Sequence, residues 1–533
     1  MTYRAMAYAV ATAAALASLA SASAETLRIG MTASDIPTTT GMPNNGFEGM
    51  RFLGYPVFEG LVLWDLTRAD RLATLRPGLA ESYEQDPVDK KIWIFHLRHG
   101  VKFHDGTDFN ADAVMWNLDR YFKNGSPQFE PPAAGMTRAR VPILAGYRKI
   151  DDYTVAIETK QPASYFPFMA VYILFTSPAS FEKAAHDWGK VALLPAAGTG
   201  PFRITKVVPR ESAELARFDG YWDKGHIAKV DAIRLLPIPE ANARLAALRS
   251  GQVDWIEVPP ADAIESLKSA GYVITTGSYP HDWPWLFNIG ATNSPFKDVR
   301  VRQALNYCID RKGLVELLNG TAEPSVGWLK AGDLDFGNPE NRYKFDPAKG
   351  KALLAEAGYT PAKPLSFKVM ISNSGSGQML PLPMNEYLQQ NLKDACGVDV
   401  DYDVVEWQVL LTAGRATPDS PSLHGAMALN ISSPSSDPGV MARYFSSANF
   451  APNGFNFEQW KDDLFDQALK SIEVETDPKV ITAAYREAHE RLVDNPPWLY
   501  IVHDLNPRAM SPKIKGFVSP QSWFVDLTLV GMQ

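Results

Sequence analysis

Cysteine is nearly missing from this chain. Its 533 residues include only two, Cys308 and Cys396. Two thiols without a companion histidine cluster do not make a zinc site, and so few cannot serve as the disulfide framework of a small secreted scaffold. Cys308 lies in the stretch Val299 to Leu318, where Val301, Leu305 and Cys308 recur at helical spacing. The spacing predicts one helix and a buried, inert thiol, so both cysteines are expected to be free. A bridge would need the two side chains to meet, which spacing alone does not establish.

Long apolar runs and blocks of like charge are also lacking. Past residue 24 no stretch approaches the roughly 18 uninterrupted apolar residues of a spanning helix. There is no run of five like charges and hence no charged tail. The net charge of −8 and the absence of basic clusters exclude nucleic acid as a partner. Catalytic signatures are missing as well. The chain has no G-x-S-x-G elbow and no G-x-x-x-x-G-K-[ST] phosphate loop. His489-Glu490 begins a metalloprotease helix, but Val493 stands where the second histidine belongs. Gly198-Thr199-Gly200 begins like a dinucleotide loop but runs into Pro201 without a third glycine. No catalytic residue, metal or cofactor is assigned, and a secreted hydrolase is the weaker alternative.

The N-terminus carries a charge at Arg4, an Ala- and Leu-rich run from Ala9 to Ala20, and then Ala22-Ser23-Ala24. That pattern is a signal peptide cleaved after Ala24, which predicts an exported, periplasmic protein. Beyond it, strand and helix patterns alternate. Strands are expected at Glu25 to Gly30, Lys91 to Arg98, Tyr153 to Ile157, Asp231 to Leu236, Leu365 to Ile371 and Trp498 to Val502. Helices are expected from Asn110, as N-cap, through Tyr121, and over Asn242 to Ser250, Met384 to Lys393 and Asp462 to Ile472. Such alternation over a chain of this length predicts α/β lobes.

Several motifs occur in a fixed order. Leu79-Ala80-Glu81-Ser82-Tyr83 precedes Phe95-His96-Leu97-Arg98-His99-Gly100-Val101-Lys102-Phe103-His104-Asp105-Gly106-Thr107 and Asn110-Ala111-Asp112-Ala113-Val114. Gly198-Thr199-Gly200-Pro201-Phe202, Tyr221-Trp222 and Ala247-Leu248-Arg249-Ser250-Gly251-Gln252-Val253-Asp254 follow. Then come Phe287-Asn288, Pro295 through Leu305, Asp346-Pro347-Ala348-Lys349 and Leu353 through Tyr359. Together they resemble the extracellular solute-binding proteins of family 5, the dipeptide-, oligopeptide- and nickel-binding type that serves ABC importers. The resemblance covers nearly all of the chain after residue 24.

The resemblance implies an α/β, two-lobed periplasmic binding protein, a class II-type clamp with an inserted subdomain. Lobe I would comprise residues 25–65, 193–276 and 503–533, the inserted subdomain 66–192, and lobe II 277–502. It implies a monomer that buries a small-molecule ligand between its lobes and delivers it to ABC transporter permease subunits. A chemoreceptor reading the closed form is compatible with the same clamp. Most motif residues are read as scaffold, with Arg98 expected to pair with a carboxylate.

Carried over by position, ligand contacts are expected at Asn45, Phe47 and Glu48, at Phe129, Arg138 and Arg140, and at Trp407, and Arg415 is expected beside Arg138 and Arg140 as a donor to carboxylate or phosphate oxygens. Asn430, Ser432 and Asp437 follow, with Trp283 and Trp285 as apolar walls. Peptide-binding relatives carry an Asp for the ligand's α-amino group shortly before the Asp/Glu-Pro doublet, here Asp437-Pro438. In this chain that position is Pro434, the preceding Trp position is Ile431, and Met427 stands near an expected arginine. A buried amine without a counter-charge is costly. The ligand is therefore expected to be a modified peptide, opine-like conjugate, sugar derivative or chelate. Ordinary di- or oligopeptide binding stays as the alternative, with Asp437 then as the anchor.

Overall fold

The structure, a computed structural model, describes residues 25–533 apart from 279, 280, 334, 432, 435–437 and 476. The expected signal segment lies outside the described residues. Strand Thr26–Met31 buries Leu27, Ile29 and Met31 completely. It runs parallel to both Ala232–Pro237 and Trp255–Glu257. Around it forms a seven-stranded sheet in the spatial order Val273–Thr275, Arg508–Met510, Trp255–Glu257, Thr26–Met31, Ala232–Pro237, Ser212–Arg217, Phe202–Val208. One of its strands thus comes from the far C-terminal end of the chain.

A second seven-stranded sheet has the order Ala322–Pro324, Trp498–Asp504, His281–Phe287, Ala428–Leu429, Ser366–Ser372, Asp399–Val405, with Ser433–Pro434 beside His281–Phe287. Strands His281–Phe287 and Trp498–Asp504 are buried at every position, as central strands covered on both faces should be. The chain passes from the first sheet to the second between Thr275 and His281, and returns between Asp504 and Arg508. Two short crossings side by side make a hinge.

A third unit is a four-stranded antiparallel sheet, Ala80–Gln85, Ile92–Leu97, Thr154–Thr159, Leu144–Asp151, packed by helix Ala111–Phe122. Asn110 caps that helix by accepting from the Ala113 N–H at 3.1 Å, as expected. Helix Pro131–Arg140 packs against it and ends at the cleft described below. The Gly198-Thr199-Gly200 motif marks a close chain crossing. A Cβ on Gly198 would lie 2.0 Å from the Val57 carbonyl oxygen. Between the glycines, the Thr199 hydroxyl donates to buried Glu59 at 2.8 Å, and Tyr221 and Trp222 donate to the same carboxylate at 2.6 and 2.8 Å. These motif residues are scaffold.

Three expectations need correction. Cys308 and Cys396 form a disulfide, with Cα atoms 6.0 Å apart. Helices Val299–Cys308 and Pro381–Cys396 both end on their cysteine, and a Cβ on Gly350 would lie 2.4 Å from one sulfur and 3.1 Å from the other. The helical period that buries Cys308 also aims it at its partner, so burial was no argument against a bond. The stretch from Val299 to Leu318 is two helices, Val299–Cys308 and Arg311–Leu317. Asp310 breaks the run by capping the second helix through the Gly313 N–H. Arg98 makes no ion pair among the described residues. It donates to the Gly78 carbonyl and lies 4.4 Å from the Trp222 ring centroid.

Candidate functional site

Between the two large sheets lies a cavity of about 460 Å³. Its walls come from the segment after the first strand (Asn45, Phe47), from helix Pro131–Arg140 of the third unit, and from the second body (Trp407, Arg415, Tyr444). Hydrogen bonds across the cleft hold it shut. The Gln408 side-chain amide donates to Asn45 Oδ1 at 2.5 Å, the Glu48 N–H to Ser376 Oγ at 2.8 Å, and Ser34 Oγ to Glu406 Oε1 at 3.2 Å. Asn45 holds a φ of +63°, a conformation asparagine tolerates better than most residues.

Trp407 begins helix Trp407–Ala413, which Glu406 caps through the Gln408 N–H. Its indole is wedged between the bodies. A Cβ on Gly375 would lie 2.5 Å from the indole, and one on Gly46, from the opposite wall, 3.4 Å away. Glycine at 375 is what admits a ring of this size, while at Gly46 a Cβ would only touch it. The Trp407 Nε1 is buried with no hydrogen-bond partner among the described residues. A buried N–H donor left unpaired is costly, and at a cavity wall it is poised for a ligand acceptor.

Three arginines face the cavity: Arg140, Arg415 and Arg443. Each lies over aromatic rings. Arg140 sits 5.5 Å from the Phe47 centroid, Arg415 5.7 Å from Phe455, and Arg443 5.4 Å from Tyr172 and 5.3 Å from Tyr444. A cation–π contact of this kind still leaves the guanidinium N–H groups to be satisfied by hydrogen-bond acceptors. Arg140 is 5 % exposed, and its Nη1 has no hydrogen-bond partner among the described residues. Burial, reinforced by the charges of Arg415 and Arg443, pushes Arg140 down to about 10. Burial also lowers Arg415. Among the described residues no carboxylate lines this cavity.

Of the residues expected from sequence, Asn45, Phe47, Arg140, Trp407 and Arg415 come together on this cavity. Others are placed in the scaffold. Glu48 is buried and accepts from the Thr32 N–H and hydroxyl at 2.8 and 2.7 Å. Arg138 donates to the Tyr121 carbonyl and to Asn124, both at 2.7 Å, and lies over Phe129, away from the cavity lining. Trp283 and Trp285 are fully buried in the second body, donating to the Gln378 carbonyl and to Asn385. Asn430 spans Pro284 and Asn385 inside the same core. Ser432 and Asp437 lie outside the described residues.

Sequence reasoning missed His281, Gln408, Arg443, Tyr444 and Trp523 in the lining. Three of these had a local signal. Gln408 adjoins Trp407, and Arg443-Tyr444 falls one to two turns into helix Pro438–Phe445, after the Asp437-Pro438 doublet. His281 and Trp523 had none, because they reach the cavity from the hinge and the C-terminal segment. Among the described residues there is no cluster of His, Cys, Asp or Glu able to hold a metal ion, and no helix long and apolar enough to cross a membrane.

Two α/β bodies joined by paired crossings, with a cavity between them, make a two-lobed clamp. Residues 74–452 match the model of the bacterial extracellular solute-binding proteins, family 5, and the chain belongs to this family. The glutathione-binding protein GsiB of Escherichia coli strain K12 is 28% identical over 465 residues, covering 85% of this chain and 86% of that protein. The periplasmic binding protein DppA of Helicobacter pylori, solved with the peptide STSA, has a similar fold. Its TM-score is 0.81 at 21% identity, covering 95% of this chain and 98% of that one. The binding protein AgaA of A. tumefaciens R10, solved with agropinic acid, gives 0.77 at 22% identity, covering 95% and 99%.

Proposed function

We propose that this protein is the extracytoplasmic, solute-binding component of an ABC importer. It captures a small polar solute in the cleft between its lobes and delivers it to the permease. The observation that carries this reading is the cavity of about 460 Å³, to which both bodies and the third unit contribute side chains. That volume suits a solute of two or three residues' bulk. The division into lobe I (25–65, 193–276, 503–533), inserted subdomain (66–192) and lobe II (277–502), and export with cleavage after Ala24, belong to this proposal. The solute is read as a modified peptide, opine-like conjugate, sugar derivative or chelate. Ordinary peptide binding is the second reading, favoured by relatives such as the peptide-bound DppA.

Binding would favour the closed form by population shift. The test is mass spectrometry of solute released on denaturing the protein purified from its own periplasm, with tryptophan fluorescence of the emptied protein on adding that solute back. A stoichiometric small molecule whose return changes the fluorescence supports the reading. A protein that carries none, and responds to no periplasmic extract, contradicts it.

A further inference from the structure

We infer that the solute carries at least two anionic groups, one met by Arg140 from the inserted subdomain and one by Arg415 from the second lobe. This inference rests on the solute-binding reading above. The two guanidiniums stand on walls contributed by separate parts of the chain. Each lies within cation–π range of a ring, Arg140 of Phe47 and Arg415 of Phe455; neither makes an ion pair with a carboxylate among the described residues, and Arg140 Nη1 has no hydrogen-bond partner there. While the cleft is open, water solvates both. Once it closes, that water is displaced and an uncompensated buried cation is strongly disfavoured. Arg443 adds positive charge beside them.

The planar fork of arginine matches a carboxylate or phosphate with paired donors. One anionic group would leave one of two opposed walls uncompensated. Two groups, separated by an uncharged body lying against Trp407 and accepting its Nε1–H, would compensate both. The ammonium of an ordinary peptide finds no partner among the described lining residues and adds to the positive charge already there. Closure itself then selects for charge, because cations on opposing walls repel until the solute neutralises them.

Calorimetry on the emptied mature protein tests this. The panel is glutathione and an N-carboxyethyl amino acid, with two carboxylates each, the dipeptide Met-Leu, with one, and its C-terminal amide, with none. The expected result is at least tenfold tighter binding of one of the dicarboxylates than of Met-Leu, and no binding of the amide. Arg140→Gln and Arg415→Gln should each weaken the dicarboxylate at least tenfold while changing Met-Leu less than threefold. Met-Leu binding within tenfold of the tighter dicarboxylate, or dicarboxylate affinity unmoved by both substitutions, overturns the inference and leaves the solute-binding reading standing. If no panel member binds, the charge of the copurified solute decides. Fewer than two anionic groups on it overturns the inference, and the absence of any solute overturns the underlying reading as well.

Discussion

Arg120 and Arg140 lie twenty positions apart in the same subdomain, both buried, and they are compensated in opposite ways. Arg120 is stacked 4.1 Å from the Trp188 centroid. Its Nε donates to Glu130 at 2.9 Å, its Nη2 donates to the Thr40 carbonyl at 2.9 Å, and Thr40 Oγ1 donates in turn to Glu130. At the hinge, Arg51 and Arg508 share Glu257 in the same manner. Arg140 has the ring, Phe47, and no carboxylate among the described residues. Buried arginines elsewhere that lack a carboxylate, Arg244 and Arg311, donate to backbone carbonyls instead, whereas Arg140 Nη1 has neither kind of partner among the described residues, and we propose that the solute supplies it. On this proposal the paired sites are structural and the cavity site is where the solute binds.

The largest effect should come from breaking a paired site. Glu130→Ala leaves Arg120 buried without its counter-charge and should cost about 3–5 kcal/mol of folding stability. Arg140→Met should cost little or nothing in the solute-free protein while abolishing thermal stabilisation by the solute. Urea unfolding of both variants, with and without the copurified solute, makes the comparison. Equal destabilisation by the two would erase the distinction between them.

Next in size is the disulfide, which concerns the second lobe's internal rigidity and not the cavity. Cys308→Ser with Cys396→Ser should lower stability by about 2–4 kcal/mol and leave solute affinity within a factor of about two. An affinity loss larger than the stability loss can explain would tie this bridge to the site.

The smallest effect sharpens the contrast from the acidic side. Glu458 is fully buried, accepts from the Trp498 indole N–H, and keeps its Oε2 without a partner among the described residues. Burial pushes its carboxyl up to about 8, so it can solve by protonation a problem that arginine cannot. Because the folded value is raised, the native state binds more protons than the unfolded chain between the ordinary carboxyl range and about pH 8. Its contribution is therefore fully present below that range and lost as pH rises toward 8. From pH 6.5 to 7.5 stability should fall by up to about 1.4 kcal/mol, and Glu458→Gln should remove that fall. Denaturant midpoints at the two pH values check it.

The fold was legible because its signals are local and repeated. Alternation placed the strands Thr26–Met31, Ile92–Leu97 and Ser366–Ser372 within a residue of their expected positions, and the Asn110 cap was readable from residue type. The site was legible only in part. Phe47, Arg140 and Trp407 could be named by position and Arg415 by its chemistry, but equally apolar Trp283 and Trp285 belong to the core of the second lobe. Nothing local separates a tryptophan beside a cavity from one inside a sheet. Arg138 and Arg140 illustrate the same limit. Two residues apart near a helix end, one turns back to the Tyr121 carbonyl and the other enters the cleft. The Cys308–Cys396 bond depended on helix packing across 88 residues of sequence, which periodicity does not encode.

The most direct test of the account is a high-resolution crystal structure of the closed protein with its copurified solute. The account predicts one anionic group of the solute within about 3.2 Å of the Arg140 guanidinium and a second at that of Arg415, with a solute acceptor on the Trp407 Nε1. A solute seated elsewhere in the cleft, with carboxylates of the chain itself on Arg140 and Arg415, would contradict it.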